Sequence, residues 1–535
     1  MFHQLVSPVA GSLPLSFAVA TLPIAVVLVL LGVLRRPAWQ ASSAGLVTAL
    51  ALASLVWKLP AGLALNSVAA GATFAVWPVM WIVLNALLLY NIAVVSGRFE
   101  AFRAWMVDHL PNDRRVVLVV IGFSFGCLLE GVAGFGTPIA ITSALLIALG
   151  FRAIDAIVFT LMFNTAPVAF GALGAPITTL GAVTQLPDVT LGAMIGRQLP
   201  IIALLLPFYV IAVYGGLRAL KGIWPVLLVA GGAFALVQFV SSNLLSYALT
   251  DVLSSLTSLV ATLLFVKVWK TPHEPEFVLD AGRAERAAAA PPGLPAWQGW
   301  LPWVVLSATV VVWVHFKVNL LGEAKIPWPG LHNAVFITTY GKPYAAVWTF
   351  QPLATGTAIL VATLLTALAV GLRPRQLGQA VMGALTQIRL PLVTTMLIVG
   401  LAYLMNYSGM AYTLGVGVAS VGFLFPLVSA FLGWLAVFLS GSDTSGNALF
   451  GNLQVVAARQ LDLSPVLMAA TNASGGVMGK MISPQNISTG TATTELKGRE
   501  GEVLARTFKH SIVLTLILGL IVMAQQYLVP GVIPR

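Results

Sequence analysis

Apolar runs of about twenty residues recur from Phe17 to Val529, each long enough to cross the ~30 Å hydrocarbon core of a bilayer as a helix. Only 8% of the 535 residues are charged and 59% are hydrophobic, too little charge to coat a soluble surface. The chain therefore reads as an all-α polytopic membrane protein. Spanning segments are expected near 17–34, 44–57, 74–95, 154–183, 198–215, 223–240, 243–268, 300–321, 352–371, 390–408, 464–492 and 511–530. That makes about 12 spans, the second of them short unless residues up to Leu63 join it. Cys127, alone of its type, excludes an intrachain disulfide and any multi-cysteine metal centre.

The formal charge of +11 resembles a nucleic-acid signal until the charges are placed. Twenty of the 28 Lys and Arg residues fall in alternate loops: Arg35 and Arg36, 98–115, Arg152, Arg218 and Lys221, 267–299, 373–389 and 495–510. The positive-inside rule makes that side cytoplasmic and puts both termini outside. The basic balance is thus topology, and no nucleic-acid partner is expected. The first sixteen residues lack the Lys or Arg of a cleaved signal peptide, and IPWPGLH at 326–332 reads as an extracellular interfacial loop.

The two ends of the chain repeat each other at an offset of about 310 residues. PITTLGAVTQL (176–186) and NISTGTATTEL (486–496) share five identities in eleven; Gly131 matches Gly441, Gly136 matches Gly446, and Ser96–Gly97 matches Ser408–Gly409. Each copy runs through three spans, a glycine-rich break, a broken span and a further span. The copies are expected at 17–215 and 300–530, with a two-span insertion and cytoplasmic linker at 216–299 between them. Partner spans 74–95 and 390–408 cross in opposite directions, which makes the repeats inverted, an arrangement of secondary transporters.

The apolar pattern breaks at four matched places: EGVAGFGTP (130–138), NTAPVAFGALGAP (164–176), GSDTSGNALFGN (441–452) and SGGVMGKMISPQN (474–486). The first and third would form the tips of two re-entrant hairpins. Irregular backbone at membrane depth is tolerated only where protein or a water-filled cavity satisfies it, so the four breaks point to one shared site. Thr137–Pro138 and Ser483–Pro484 read as N-cap and N1 of half-helices whose free N–H groups suit an anion. Gly134 and Gly136 would let the backbone approach a ligand closely.

Three ionisable residues fall in these breaks, where a charge costs roughly 2.5–3.5 kcal/mol on insertion scales. Lys480 is expected to hold a substrate carboxylate, or to neutralise a buried one when the site is empty. Asp443 first and Glu130 second are the proton-coupling candidates. Ser442, Thr444, Ser445, Asn447, Asn164, Thr165, Asn472, Ser474, Ser483, Gln485 and Asn486 could hydrogen-bond a hydroxy-acid or supply oxygens to Na⁺. No cluster of His or nucleophile–base pair suggests an enzyme, and no cofactor or metal is expected.

CLLEGVAGFGTPIAI (127–141), SGSDTSGNALFGNLQ (440–454) and TNASGGVMGKMISPQNIS (471–488) resemble the signature segments of the bacterial lactate permease family. The resemblance implies a plasma-membrane symporter of L-lactate, D-lactate and glycolate, coupled to protons. Its partners would be a small 2-hydroxymonocarboxylate, protons and the lipid bilayer; the sequence leaves the oligomeric state open. A sodium-coupled carboxylate carrier or Na⁺/H⁺ antiporter is the alternative reading of the same polar residues.

Overall fold

A computed structural model describes the whole chain except residues 35, 133, 135, 136, 273, 280–293, 493, 498 and 535. Among the described residues, 10 helices are long and apolar enough to cross a membrane, and the bent pair Ala153–Phe163 and Val168–Thr184 brings the number to 11. Strand is confined to short pieces. Phe2–His3 pairs in parallel with Val335–Ile337, which also pairs antiparallel with Lys342–Pro343. Ala324–Pro327 and Val347–Phe350 form a separate hairpin, so the stretch expected as an interfacial loop begins on a strand.

Two kinds of helix build the molecule. Leu15, Leu22, Leu205, Leu236, Leu264, Leu368 and Leu520 stand exposed on helices that carry other apolar residues inward. A helix apolar all round belongs against lipid. The Arg114–Val132 span, by contrast, is wholly buried inside the protein, as are nearly all of Asp443–Gln460 and Pro465–Lys480. The elements with breaks and polar residues thus form an inner layer, enclosed by lipid-facing spans.

Several expected boundaries move. Residues 56–60 leave the second helix at Leu55, and a new helix starts at Ala61, so Leu63 belongs to the next element. That element runs on to Val95 with a bend at Trp77, before Pro78, whose ring and missing N–H disrupt the helical ladder. The expected spans 198–215 and 223–240 are both present within Leu199–Val240, parted by non-helical residues Gly215, Gly216 and Ile223; a Cβ on Gly231 would meet the Leu204 carbonyl, so the two helices lie side by side. Pro374–Ser408 extends the expected 390–408 span by more than three turns, past the polar Arg389 and Gln387. Met410–Val418, Phe425–Ser440 and Asp443–Gln460 fill the interval that the sequence reading left to a hairpin.

The basic loops gather on one face. Arg98 Nη2 donates to Gln298 Oε1, Arg114 Nε to the Val278 carbonyl, Arg115 and Arg218 pair with Glu274, and Arg506 pairs with Asp155. On another face the N-terminal strand meets residues 335–337, Gln185 reaches Ala345, and the Arg459 guanidinium lies over the Tyr340 ring. Arg197 Nη1 donates to the Val532 carbonyl at 2.6 Å, tying the C-terminal residues to the loop that follows Ile195.

Candidate functional site

The first break narrows to a short hairpin tip. A helix ends at Val132 and the next begins at Thr137, with Gly134 at φ +53, a conformation that favours glycine. Gly136 lies outside the described residues. Glu130 sits in the last turn before that tip, near the C-terminal end of the Arg114–Val132 span, where the helix dipole disfavours a negative charge.

The charge is met from the far end of the chain. Lys480 Nζ lies 2.5 Å from Glu130 Oε1, and Asn164 Nδ2 donates to Glu130 Oε2 at 3.1 Å. The residues of the pair are 3% and 5% exposed. Lys480 closes the Pro465–Lys480 helix, where a cation suits the dipole. Asn164 caps Ala153–Phe163, at the start of the second break. That break runs through a tight turn at 168–170 and left-handed residues 172–174, bending the pair of helices by 65°. Gly171 passes so close that a Cβ there would stand 3.0 Å from Glu130 Oε1.

The third and fourth breaks are shorter than expected. Only Gly441 and Ser442 interrupt the chain before Asp443 starts a helix, and the fourth break is residues 481–483, because Ser474–Lys480 are helical. The glycines of that stretch serve packing. A Cβ on Gly475 or Gly479 would run into the backbone carbonyl of Ala430 or Trp434, so the Pro465–Lys480 and Phe425–Ser440 helices cross in near-backbone contact.

Asp443 heads a web of amides. Asn447 Nδ2 donates to Asp443 Oδ2 at 3.1 Å and to the Pro176 carbonyl at 3.3 Å, so this web also reaches the other half. Asn472 Nδ2 donates to Asn447 Oδ1 at 2.9 Å, and Gln454 Nε2 to Asn472 Oδ1 at 2.7 Å. Asp443 Oδ1 and Asn164 Oδ1 are buried without a partner among the described residues. A Cβ on Gly476, one turn before Lys480, would run into Asp443 Oδ1, so the web lies against the helix that carries the lysine of the ion pair.

The remaining expected residues divide. Ser442 is the N-cap of Asp443–Gln460, accepting from the Ser445 N–H at 3.4 Å, and Thr444 is buried in its first turn. Ser483 caps Pro484–Thr491 by position, with its hydroxyl buried and unpaired. Asn486 Nδ2 donates to the Gly441 carbonyl at 3.0 Å, and Gln485 Oε1 would lie 2.7 Å from a Cβ at Gly441, so these residues fasten the third break to the fourth. Thr165 bonds back to the Met162 carbonyl, and Ser474 donates to Gln198 Oε1 at 2.6 Å, away from the charged pair. Thr137 begins the helix after the first tip.

Sequence reasoning missed Gln454, Gln198 and Asp251. All three are fully buried, Gln198 just before the Leu199–Val240 element and the other two on helices, and an aspartate inside the 243–268 span was a visible signal.

The family model described as L-lactate permease matches residues 16–529. The glycolate permease GlcA of Escherichia coli (strain K12) is 39% identical over 98% of both chains. The L-lactate permease of Salmonella typhi is 40% identical over 98% of both, and that of Bacillus subtilis (strain 168) is 39% identical over 99% of both.

Proposed function

Because the chain belongs to the L-lactate permease family, a family of multi-pass membrane transporters, we propose that it imports lactate, and glycolate with it, by proton symport. The observation that carries this reading is the buried Lys480–Glu130 pair. A monocarboxylate that takes Lys480 as its cation competes with the Glu130 carboxylate, and the displaced carboxylate then stands buried without its cation. Burying an uncompensated charge is strongly unfavourable, so Glu130 takes up a proton as the substrate anion arrives. One anion and one proton enter together, and the site stays electroneutral.

The 2-hydroxyl has a partner in the same place. Asn164 loses its bond to Glu130 in the exchange, and its unpaired Oδ1 can accept from the substrate hydroxyl. The polar groups at Ser483, Asn486 and the first turn of Asp443–Gln460 complete the cradle from the other half. Asp443 is the second proton-coupling group, coupled to the first through Lys480. This ordering, Glu130 before Asp443, follows from which carboxylate holds the lysine.

Alternating access would move the broken elements against the lipid-facing spans, with inverted repeats at 17–215 and 300–530 related across the Glu130–Lys480 contact. The bend at Gly215–Gly216 supports the boundary before the 216–299 insertion. The face that gathers Arg98, Arg114, Arg115, Arg218 and Arg506 is assigned to the cytoplasm and both termini to the outside, in the inner membrane of a bacterium.

The test is labelled L-lactate uptake into proteoliposomes under an inward proton gradient without sodium, with glycolate and D-lactate as competitors. Gradient-dependent uptake, inhibited by the competitors, is expected. Uptake that begins only when sodium is added would overturn proton symport in favour of a sodium-coupled carboxylate carrier.

A further inference from the structure

Asp251 is an ionisable side chain at membrane depth that the exchange described above leaves unused. It is the second residue of the Thr250–Val268 helix and is 0% exposed. Neither of its carboxyl oxygens has a hydrogen-bond partner among the described residues. It packs directly on the residue after Glu130: a Cβ on Gly131 would stand 2.7 Å from the Asp251 Cβ. The charged groups that bear on it are Glu130 and Lys480, and the thiol facing it from the Glu130 helix is Cys127. A carboxyl with no donor to either oxygen does no structural work that an apolar residue of its size would not do better.

A cluster of polar groups lies between this helix and the rim. One turn before Asp251, the Tyr247 hydroxyl donates to Asp188 Oδ2 at 2.7 Å and lies 3.0 Å from Thr178 Oγ1. Asp188 is only partly buried and opens the Asp188–Ile195 helix. Room for the tyrosine ring comes from Gly174 and Gly192, where a Cβ would collide with it. The second break thus touches Glu130 at Gly171 and the Tyr247 ring at Gly174, while Asp251 packs on Gly131 beside Glu130.

We propose that Asp251 is the proton relay to Glu130, reloaded by water from the side of the molecule where Tyr247 and Asp188 lie. It holds the neutral acid in the empty carrier. When the substrate carboxylate takes Lys480, the O–H bond at Asp251 breaks and an O–H bond forms on Glu130. Asp251 regains a proton from water that enters from the side of Asp188 and Tyr247. No charge is created beyond that of the entering anion and proton. The inference rests on the reading of Glu130 as the group that substrate displaces.

Two fluxes separate a relay from a packing position: proton-driven accumulation of labelled lactate, and exchange of internal for external lactate at equal pH on both sides. Exchange moves no net proton and does not need the relay. Asp251→Asn is expected to lower driven accumulation roughly tenfold or more while leaving exchange within about twofold, and Asp251→Glu to restore driven accumulation. Driven accumulation at the wild-type level in Asp251→Asn would overturn the proposal. So would a parallel loss of both fluxes in well-folded Asn and Glu variants, which marks a structural role. Should the Asn variant not fold, the pH profile of driven uptake in Asp251→Glu decides: a relay moves the profile and a packing residue leaves it unmoved. Failure of the wild type itself to accumulate lactate would sink the exchange reading, and is seen before any variant is made.

Discussion

Glu130 and Asp443 flank the two hairpin tips, one in each half of the chain, yet they stand at opposite ends of their helices. Glu130 is near a C-terminus, where the dipole opposes its charge, and it depends on Lys480 and Asn164. Asp443 opens a helix, where the dipole favours a carboxylate, and its partner is a neutral amide. The same topology therefore carries two chemistries. One tip holds a buried ion pair, which the proposed mechanism makes exchangeable, and the other holds a web of Asn447, Asn472 and Gln454 that reaches across to Pro176. A carrier needs both, a group that substrate can displace and a frame against which the displacement is registered.

The sharpest way to break this contrast is Lys480→Ala. Removing one member of a buried pair costs about 3–5 kcal/mol, so transport should fall by roughly 100-fold or more and thermal stability should drop. The double variant Lys480→Ala with Glu130→Gln should recover the melting temperature without recovering uptake. Recovery of uptake would deny Lys480 its place in the site.

Asp443→Asn comes next. Proton-driven uptake should fall by about tenfold while exchange of internal for external substrate persists, since the web loses a titrating group and keeps its shape. Normal accumulation in that variant would leave the proton with Glu130 alone.

Asn472→Ala tests the frame. It removes a donor from Asn447 and an acceptor from Gln454, which should cost about 1–3 kcal/mol in thermal unfolding and raise the KM for lactate several-fold. A change confined to the maximal rate would separate the web from substrate binding. Smallest of all should be Arg152→Ala, whose exposed pair with Asp155 is worth about 0–1 kcal/mol. Its uptake should stay within about twofold of wild type in the same proteoliposomes.

Much of this contrast was legible before the fold was known, and the reasons are physical. A charge in apolar text is conspicuous because it is expensive, so Glu130, Asp443 and Lys480 stood out at once. The bend at 164–176 was equally plain, since Asn, Pro and Gly together cannot continue a helix. What could not be read was the pairing: Glu130 and Lys480 lie 350 positions apart, and no periodicity reports a contact of that range. Asp251 lies in an intact span, where no break in the apolar pattern marks it. Gly475 and Gly479 read as part of a break in the sequence yet lie in a helix, because composition alone does not separate a glycine that bends a chain from one that lets two helices touch.

The central claim is that substrate replaces Glu130 at Lys480 and that Glu130 takes the proton. Calorimetric titration of the purified protein with lactate, repeated in buffers of different ionisation enthalpy, counts the protons taken up on binding. About one proton per lactate is expected for the wild type, and close to none for Glu130→Gln with binding retained. Lactate binding to the wild type without proton uptake would contradict the account.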